Sequence, residues 1–333
     1  MRFANLLALF SCFMSPVPGY SQVGSKPEKS GIVVAYPAPS AAFTPIFLSY
    51  EAGLFKKYGL SSRIQYLNPQ QSAQAVISGD ADFYAPGPDL LAARLKGGRL
   101  KFFASFLHRY VFQIWAAKEI RRLEDLRGKS VAITTPGSVL DIATREVLKR
   151  SGLVPGRDVK FLYTSGLPAS LTLLTSGQTS AGAFSAPTTV KAREAGLNLL
   201  ADVARLDIPG LQGTYGTTEN YLQNNKNTVY AFLKAIGEGV VLSRKDPGSA
   251  KRAISFYTKT DDSKMVDEAY DAYAPYWANS LAVPAESIRV NLGYLDEKDF
   301  PKAKDSDPRE FFDNSFVNEI ERSGFFKQIG LEK

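Results

Sequence analysis

Short apolar segments alternate with amphipathic segments along most of the chain, and one arrangement of them occurs twice. Near residue 79 an apolar helix is followed by Ser-Gly, a short apolar strand, a proline-containing loop, a short helix, glycine and another strand. The same order of elements recurs near residue 177. Gly79 and Gly177 stand where a helix needs a left-handed residue to end, and Gly97 and Gly196 close the second helix of each copy. The repetition predicts two α/β lobes built alike.

The remaining pattern extends this prediction over the whole chain. Apolar strands are predicted at 32–36, 62–67, 101–106, 130–134 and 159–163, with helices between them. Because strands and helices alternate, the sheets are expected to be mainly parallel. The extended segment 110–117 is apolar enough to cross between the lobes, and a second extended segment, 212–218, can return the chain to the first lobe. From Glu219 onward the pattern is helical, with helices predicted near 227–243, 248–257, 262–278 and 309–323.

The first residues have the pattern of a secretory signal peptide. Arg2 precedes a mostly apolar stretch at 3–14, which is too short to span a bilayer core of about 30 Å. Small residues at Gly19 and Ser21 predict cleavage after Ser21 and a periplasmic mature protein. The segment 9–12 matches a lipoprotein box poorly, because phenylalanine stands at its second position, so no lipid anchor is expected. An uncleaved N-terminal tail is the alternative.

These observations divide the chain into four parts. Residues 1–21 form the signal peptide, and the polar residues 22–31 form a flexible lead. The first lobe is expected to consist of 32–112 together with 216–333, which includes the C-terminal helices. The second lobe is expected to consist of 113–215.

Composition excludes several kinds of chemistry. The 333 residues are 44% hydrophobic and 22% charged, as in ordinary soluble domains, and the net charge of +7 comes from scattered residues, so no nucleic-acid partner is expected. Cys12 is the only cysteine and would leave with the signal peptide. His108 is the only histidine, so a Ser–His pair or a two-histidine metal site is not expected. Phosphate-binding glycine motifs are absent. We therefore expect no enzymatic activity, metal or cofactor.

The loops at the carboxyl ends of the strands should face one another across a cleft, where α/β sheets hold ligands. These five loops contain no charged residue and span 36–44, 84–88, 134–139, 184–189 and 212–218. They carry five aromatic residues, Tyr36, Phe43, Tyr84, Phe184 and Tyr215, and the hydroxyls of Ser40, Thr44, Ser138, Ser185, Thr214 and Thr217. An apolar pocket with a few polar groups is typical of a small-ligand site. The alternative is that each ring is an ordinary core residue.

The loops also suggest what the ligand is. Helix starts near 40–44 and at Ser138 should offer free N–H groups to a carboxylate, a sulfonate or a ring acceptor. Neutral walls disfavour a strongly cationic ligand. We therefore expect a neutral or anionic molecule with a planar or aromatic part. Truncating Tyr84 or Phe184 should then weaken binding and leave the ligand-free protein stable.

Three stretches carry a family resemblance: F-L-S-Y-E-A-G-L-F-K-K-Y-G-L at 47–60, Q-A-V-I-S-G-D-A-D-F at 74–83 and L-E-D-L-R-G-K-S-V-A at 123–132. The chain resembles, from about 32 to 295, the substrate-binding proteins of ABC importers that have the sulfonate/nitrate/thiamine-precursor-binding domain. The resemblance implies a type II periplasmic-binding fold, in which two α/β lobes joined by two crossing strands close on a ligand. It also implies delivery of that ligand to a permease in the inner membrane, by a protein that is usually a monomer.

The same resemblance implies a set of ligand-binding positions on four loops: Pro39, Ser40, Ala41, Phe43, Tyr84, Pro86, Gly137, Ser138, Phe184 and Ser185. Tyr36 and Tyr215 join this candidate set because of the aromatic content of the cleft loops. The sequence departs from the pattern at one point, because the Gly-x-x-Asp signature at 79–82 recurs at 177–180 with serine in place of aspartate. This departure weakens any transfer of ligand identity.

The leading interpretation is therefore a secreted, non-enzymatic solute receptor of an ABC importer. A lyase or dehydratase on the same two-lobed fold, and a ligand-binding sensor subunit, are the alternatives. The eukaryotic pyrimidine synthases that resemble this domain use histidine and a cysteine-rich motif, which a chain with one of each residue does not match.

Overall fold

The computed structural model describes residues 24–332, so the predicted signal peptide at 1–21 lies outside the described residues. Ten strands are formed: β1 Gly31–Tyr36, β2 Ser61–Tyr66, β3 Phe83–Tyr84, β4 Leu100–Arg109, β5 Gln113–Ala116, β6 Lys129–Ile133, β7 Val159–Tyr163, β8 Ala181–Phe184, β9 Asn198–Asp202 and β10 Pro209–Thr218. The helices of the two lobes are α1 Thr44–Glu51, α2 Leu54–Lys57, α3 Pro69–Ser78, α4 Asp89–Leu95, α5 Val139–Arg150, α6 Leu167–Thr175 and α7 Thr188–Glu194. The C-terminal helices are α8 Glu219–Asn224, α9 Lys226–Lys245, α10 Pro247–Thr258, α11 Ser263–Tyr273, α12 Ala285–Leu292, α13 Ser315–Arg322 and α14 Phe325–Ile329.

The strands form two five-stranded sheets with the same topology. The first has the order β2-β1-β3-β10-β4 and the second the order β7-β6-β8-β5-β9. In each sheet the first three strands are parallel and the last two are antiparallel to their neighbours. The two-lobed α/β architecture with a helical C-terminal region is confirmed. The expectation of mainly parallel sheets was incomplete, because the antiparallel pairs arise where the chain crosses between lobes.

The glycines of the repeated pattern have the predicted role. Gly79 and Gly177 follow α3 and α6 with φ values of 87° and 74°. Gly97 and Gly196 follow α4 and α7 with φ values of 93° and 71°. A side chain is strained in this left-handed region, so glycine lets the chain leave each helix and enter the next strand.

Two short segments join the lobes. Residues 110–112 lead from β4 into β5, and residues 203–208 lead from β9 into β10. Pairing of Pro209 with Arg109 places the whole of β10 in the first sheet. The return to the first lobe therefore comes before the predicted boundary at 215/216, because 209–215 already pair with β4.

Both faces of the first sheet are covered by helices. On one face Phe83 packs against Phe232 of α9, with 4.3 Å between ring centroids. On the other face lie Val76 of α3, Leu91 of α4 and Ile288 of α12. The C-terminal helices thus complete the first lobe rather than forming a unit of their own. Among residues 24–332 no helix is both long enough and apolar enough to span a membrane.

The segment predicted as a flexible lead, 22–31, is held by specific contacts in its second half. The Glu28 carboxylate accepts the N–H groups of Asn227 and Thr228 at the start of α9, at 3.0 and 2.9 Å. The Lys29 ammonium is 2.7 Å from the buried carboxylate of Asp82. The prediction of a flexible lead is therefore wrong for these residues, because their charges are used to join β1 to α9 and to the start of β3.

Candidate functional site

Two of the predicted site hydroxyls meet at the junction of the lobes, around a residue that the sequence analysis missed. The Tyr273 hydroxyl lies 3.5 Å from Ser40 Oγ in the loop after β1. Burial raises the pKa of this hydroxyl, and the side chain of Ser185, in the loop after β8, opposes that shift. Ser40 and Ser185 belong to different lobes, so Tyr273 joins the two loops that the sequence predicted to face each other.

The same hydroxyl contacts both segments that join the lobes. It donates to the carbonyl oxygen of Val111 in the first crossing at 3.0 Å. It accepts from Gln212 Nε2 in β10, just after the second crossing, at 3.3 Å. Gln212 in turn accepts the N–H of Val111. Tyr273 is fully buried, and this burial raises the pKa of its hydroxyl, which therefore stays protonated at neutral pH.

The position of Tyr273 follows from the pattern of α11. Asp262 caps the helix by accepting the N–H groups of Lys264 and Met265. The buried side chains Met265, Val266, Ala269, Tyr270 and Tyr273 form one stripe at helical spacing. The sequence predicted a helix here but gave no reason to connect it with loops more than sixty positions earlier. A buried stripe that ends in a tyrosine was the available signal.

The aromatic wall predicted across the cleft is not formed by Tyr84 and Phe184. Both side chains are fully buried, Tyr84 in the core of the first lobe and Phe184 in a separate cluster with Trp115 and Leu174 of the second. The Phe184 ring lies over Gly182 of its own strand, where a Cβ would approach it to 2.5 Å. The pleat of β8 turns this ring toward α6 and α7, away from the other lobe.

Tyr215 is also a core residue. Its ring packs between Phe106 and Phe232, with centroid distances of 5.4 and 4.9 Å. The alternative interpretation, that these rings are ordinary core residues, therefore describes Tyr84, Phe184 and Tyr215.

The remaining predicted residues lie along the loop after β1 and at two other loops. Tyr36 packs edge-on against Phe47 at 5.2 Å and lies 6.0 Å from Tyr66. Ala41, Phe43 and Pro86 are buried, and Pro39 is exposed. Tyr36, at the end of β1, and Phe43, in the loop after it, are likewise buried in a hydrophobic cluster of the first lobe.

At the start of α5, two of the N–H groups are accepted by side chains of the same turn. The Asp141 carboxylate accepts the N–H of Gly137 at 2.8 Å, and Ser138 Oγ accepts the N–H of Asp141 at 3.3 Å. Asp141 is itself paired with Arg145 at 2.8 Å. The first turn thus supplies its own acceptors to these two N–H groups, which the sequence analysis offered to a ligand.

A second carboxylate, Asp89, stands directly after the uncharged window 84–88. Its Oδ1 accepts the N–H of Gly87 at 2.6 Å, and burial raises the pKa of the carboxyl to about 6. A Cβ on Gly87 would lie 2.9 Å from Val139 Cγ2 of the second lobe. The uncharged loops therefore have a carboxylate beside them at a contact between the lobes.

One ion pair spans the lobes at the surface. Arg193 of α7 lies 2.5 Å from Glu268 of α11, the helix that carries Tyr273. Within residues 24–332, no three histidine, cysteine, aspartate or glutamate side chains are grouped so that they could hold a metal ion.

Comparison with solved structures identifies the fold. A protein of Bordetella bronchiseptica RB50 aligns with a TM-score of 0.77 and 21% identity, covering 90% of this chain and 99% of that one. The periplasmic aliphatic sulphonate-binding protein SsuA of Escherichia coli aligns at 0.71 and 18%, covering 86% and 93%. The periplasmic nitrate-binding protein NrtA of Synechocystis PCC 6803 aligns at 0.72 and 13%, covering 90% and 89%. The fold is thus that of the two-lobed periplasmic binding proteins.

The family is given by the sequence itself. The family described as NMT1/THI5 like matches residues 40–250, and the chain belongs to this family. No curated protein matches the sequence significantly. The resemblance to substrate-binding proteins with the sulfonate/nitrate/thiamine-precursor-binding domain is confirmed.

Proposed function

We propose that the protein is an extracytoplasmic solute-binding protein that captures a small organic molecule between its lobes and delivers it to the permease of an ABC importer. The observation that carries this proposal is the convergence of Ser40, Ser185 and Gln212 on Tyr273. Groups from both lobes and from β10 thus act on one buried hydroxyl. A ligand that replaced the hydroxyl contacts between lobes would bind both halves at once.

Closure about the crossing segments 110–112 and 203–208 provides the mechanism. When the lobes separate, Ser40 and Ser185 move apart and expose hydrogen-bonding groups that are otherwise buried. A ligand that satisfies these groups stabilises the closed form by its differential affinity for it. Tyr36 and Phe43, which lie before and after Ser40 in the chain, would contact a planar part of the ligand once the lobes open. The protein acts as a periplasmic monomer and catalyses no reaction on its ligand.

Native mass spectrometry of the protein purified from its host tests the proposal. We expect a mass above that of the polypeptide, which disappears on denaturation and identifies the ligand. Adding the ligand back to the refolded protein should reduce the radius of gyration measured by small-angle X-ray scattering. The double variant Ser40→Ala/Ser185→Ala should bind at least tenfold more weakly, whereas Ser78→Ala, at the exposed end of α3, should bind as the wild type does. Equal binding by both variants would contradict this site.

A further inference from the structure

We propose that Arg193 and Glu268 are positioning residues for ligand capture: their ion pair shifts the equilibrium between the open and closed forms toward the closed form. Added salt, or loss of either charge, shifts the equilibrium back. The inference deepens the proposed function and rests on it, because closure of the lobes is how that function retains a ligand.

The ion pair joins the two helices that are connected with the candidate site. Glu268 lies on α11, the helix that carries Tyr273, and Arg193 lies in the last turn of α7, which follows the loop of Ser185. Nη2 of Arg193 donates to both carboxylate oxygens of Glu268, at 2.5 Å to Oε1 and 2.6 Å to Oε2. Because α7 belongs to the second lobe and α11 to the first, a rotation that separates the lobes breaks this contact.

The other ion pairs within residues 24–332 do not connect the bodies of the two lobes. They lie inside one lobe or involve the crossing segment 203–208, as the pair of Arg109 with Asp207 does. Opening about 110–112 and 203–208 therefore leaves the ion pairs inside each lobe intact. The pair between α7 and α11 is the charged contact that depends on closure.

The apolar contacts between the lobes respond differently to salt. Ile142 of α5 is buried in one hydrophobic cluster of the first lobe, and Ala186, in the loop before α7, is buried in another. Arg193 and Glu268 remain open to solvent, with side-chain exposures of 50% and 31%. Dissolved ions screen the attraction between exposed charges but do not screen apolar contacts. Ionic strength therefore acts on closure through this pair.

A small energy is sufficient for this role. Exposed ion pairs contribute little to the stability of a rigid fold, but a hinge with two forms responds to any difference between them. Loss of one exposed pair should lower the ratio of closed to open molecules by about two- to fivefold. A ligand that needs the closed form would then bind more weakly by up to the same factor.

The distance between the lobes can be measured without knowing the ligand. Cys12 is the only cysteine and lies in the predicted signal peptide, so the chain from residue 22 onward has no native thiol. Ser78→Cys and Ser176→Cys place spin labels at exposed, corresponding helix ends of the two lobes. Double electron–electron resonance then gives the distribution of distances between the labels in the ligand-free protein.

We expect Glu268→Gln to lower the ratio of closed to open molecules by about two- to fivefold at low salt. Salt at about 1 M, where the Debye length is about 3 Å, should have the same effect on the wild type and little effect on the variant. Glu268→Arg places two like charges together and should open the lobes further. Combining it with Arg193→Glu restores opposite charges and should return the wild-type distribution.

A matched control removes an ion pair of the same form inside one lobe. Lys57 Nζ lies 2.6 and 2.9 Å from the two carboxylate oxygens of Glu238, and both residues belong to the first lobe. Lys57→Gln should therefore leave the distances between the labels unchanged. Urea denaturation of all variants separates the two roles, because a pair that only stabilised the fold would change the midpoint without moving the labels.

Two results would overturn the inference. One is an unchanged distribution in Glu268→Gln and Glu268→Arg, and the other is failure of the reversed pair to restore the wild-type distribution. If native mass spectrometry finds a bound ligand while these variants leave the labels in place, the role of the ion pair is wrong and the proposed function stands. If that ligand itself does not change the distances, the closure mechanism fails together with the inference.

Discussion

Asp89 should destabilise the protein at neutral pH, and replacing it with asparagine should reveal by how much. Burial raises the pKa of its carboxyl from the ordinary 3.8 to about 6 in the folded protein. Each pH unit of such a displacement corresponds to 1.36 kcal/mol, so the cost of keeping Asp89 ionised in the fold is about 3 kcal/mol above pH 6. Below pH 3.8 the carboxyl is protonated in both states and costs nothing. Stability contributed by the neutral form is therefore lost as pH rises from about 4 to about 6.

Asparagine keeps an oxygen that can accept the N–H of Gly87 and removes the charge. Urea denaturation of the wild type and of Asp89→Asn at pH 4 and pH 8 measures the difference. We expect the variant to be more stable by about 3 kcal/mol at pH 8 and by well under 1 kcal/mol at pH 4. Asp261→Asn, which changes an exposed carboxylate in the loop before α11, is the control and should show no such dependence on pH.

A gain of equal size at both pH values would refute the reasoning, because it would come from packing or helix propensity rather than from charge. A loss of stability at pH 8 would show that the Gly87 hydrogen bond to a charged oxygen outweighs burial.

Three further predictions follow from packing and hydrogen bonding. Phe184→Ala should lower the free energy of unfolding by about 3–5 kcal/mol in urea denaturation without ligand, because the ring is fully buried. An unchanged denaturation midpoint would mean that the ring lies in the cleft and not in the core. Tyr273→Phe removes the hydroxyl bonded to Val111 and Gln212 and should cost about 1–3 kcal/mol, whereas wild-type stability would mean that water replaces it. Glu28→Gln should weaken the hydrogen bonds that cap α9 by about 1 kcal/mol. Backbone amides in the first turn of α9 should then exchange hydrogen faster than in the wild type. Identical exchange rates would contradict this role of Glu28.

The lobes could be predicted because their signals are local. The order of Ser-Gly, strand, proline loop and helix is written twice in the sequence, and the glycines that end the helices are required by backbone geometry alone. The topology of each sheet follows once the two crossing segments are recognised. The exact return point could not be predicted, because the pairing of Pro209 with Arg109 is a long-range contact.

The site was predicted less well, because it depends on the orientation of side chains and on contacts between residues far apart in the sequence. A two-residue strand such as Phe83–Tyr84 does not indicate which face each ring takes, and the sheet placed Phe83 and Tyr84 in different core clusters. The five loops are uncharged, but Asp89 and Asp141 lie just after two of them. Their carboxylates accept the N–H groups of Gly87 and Gly137 within those loops. Tyr273 reaches the site from a helix that local patterns cannot connect to it. The loops of Ser40 and Ser185 were predicted to face each other, and both side chains act on the Tyr273 hydroxyl; their role in ligand binding stays a prediction.

The position of β10 in the middle of the first sheet affects how the chain assembles. Until residues 209–218 are available, β3 and β4 have no strand between them, and both would present unpaired edges. The strands of the second sheet, by contrast, occupy one uninterrupted stretch from β5 to β9. The first lobe, whose strands begin the chain, therefore completes its sheet only after all strands of the second lobe have been synthesised. Until then the edges of β3 and β4 stay unpaired, while the second sheet can already form.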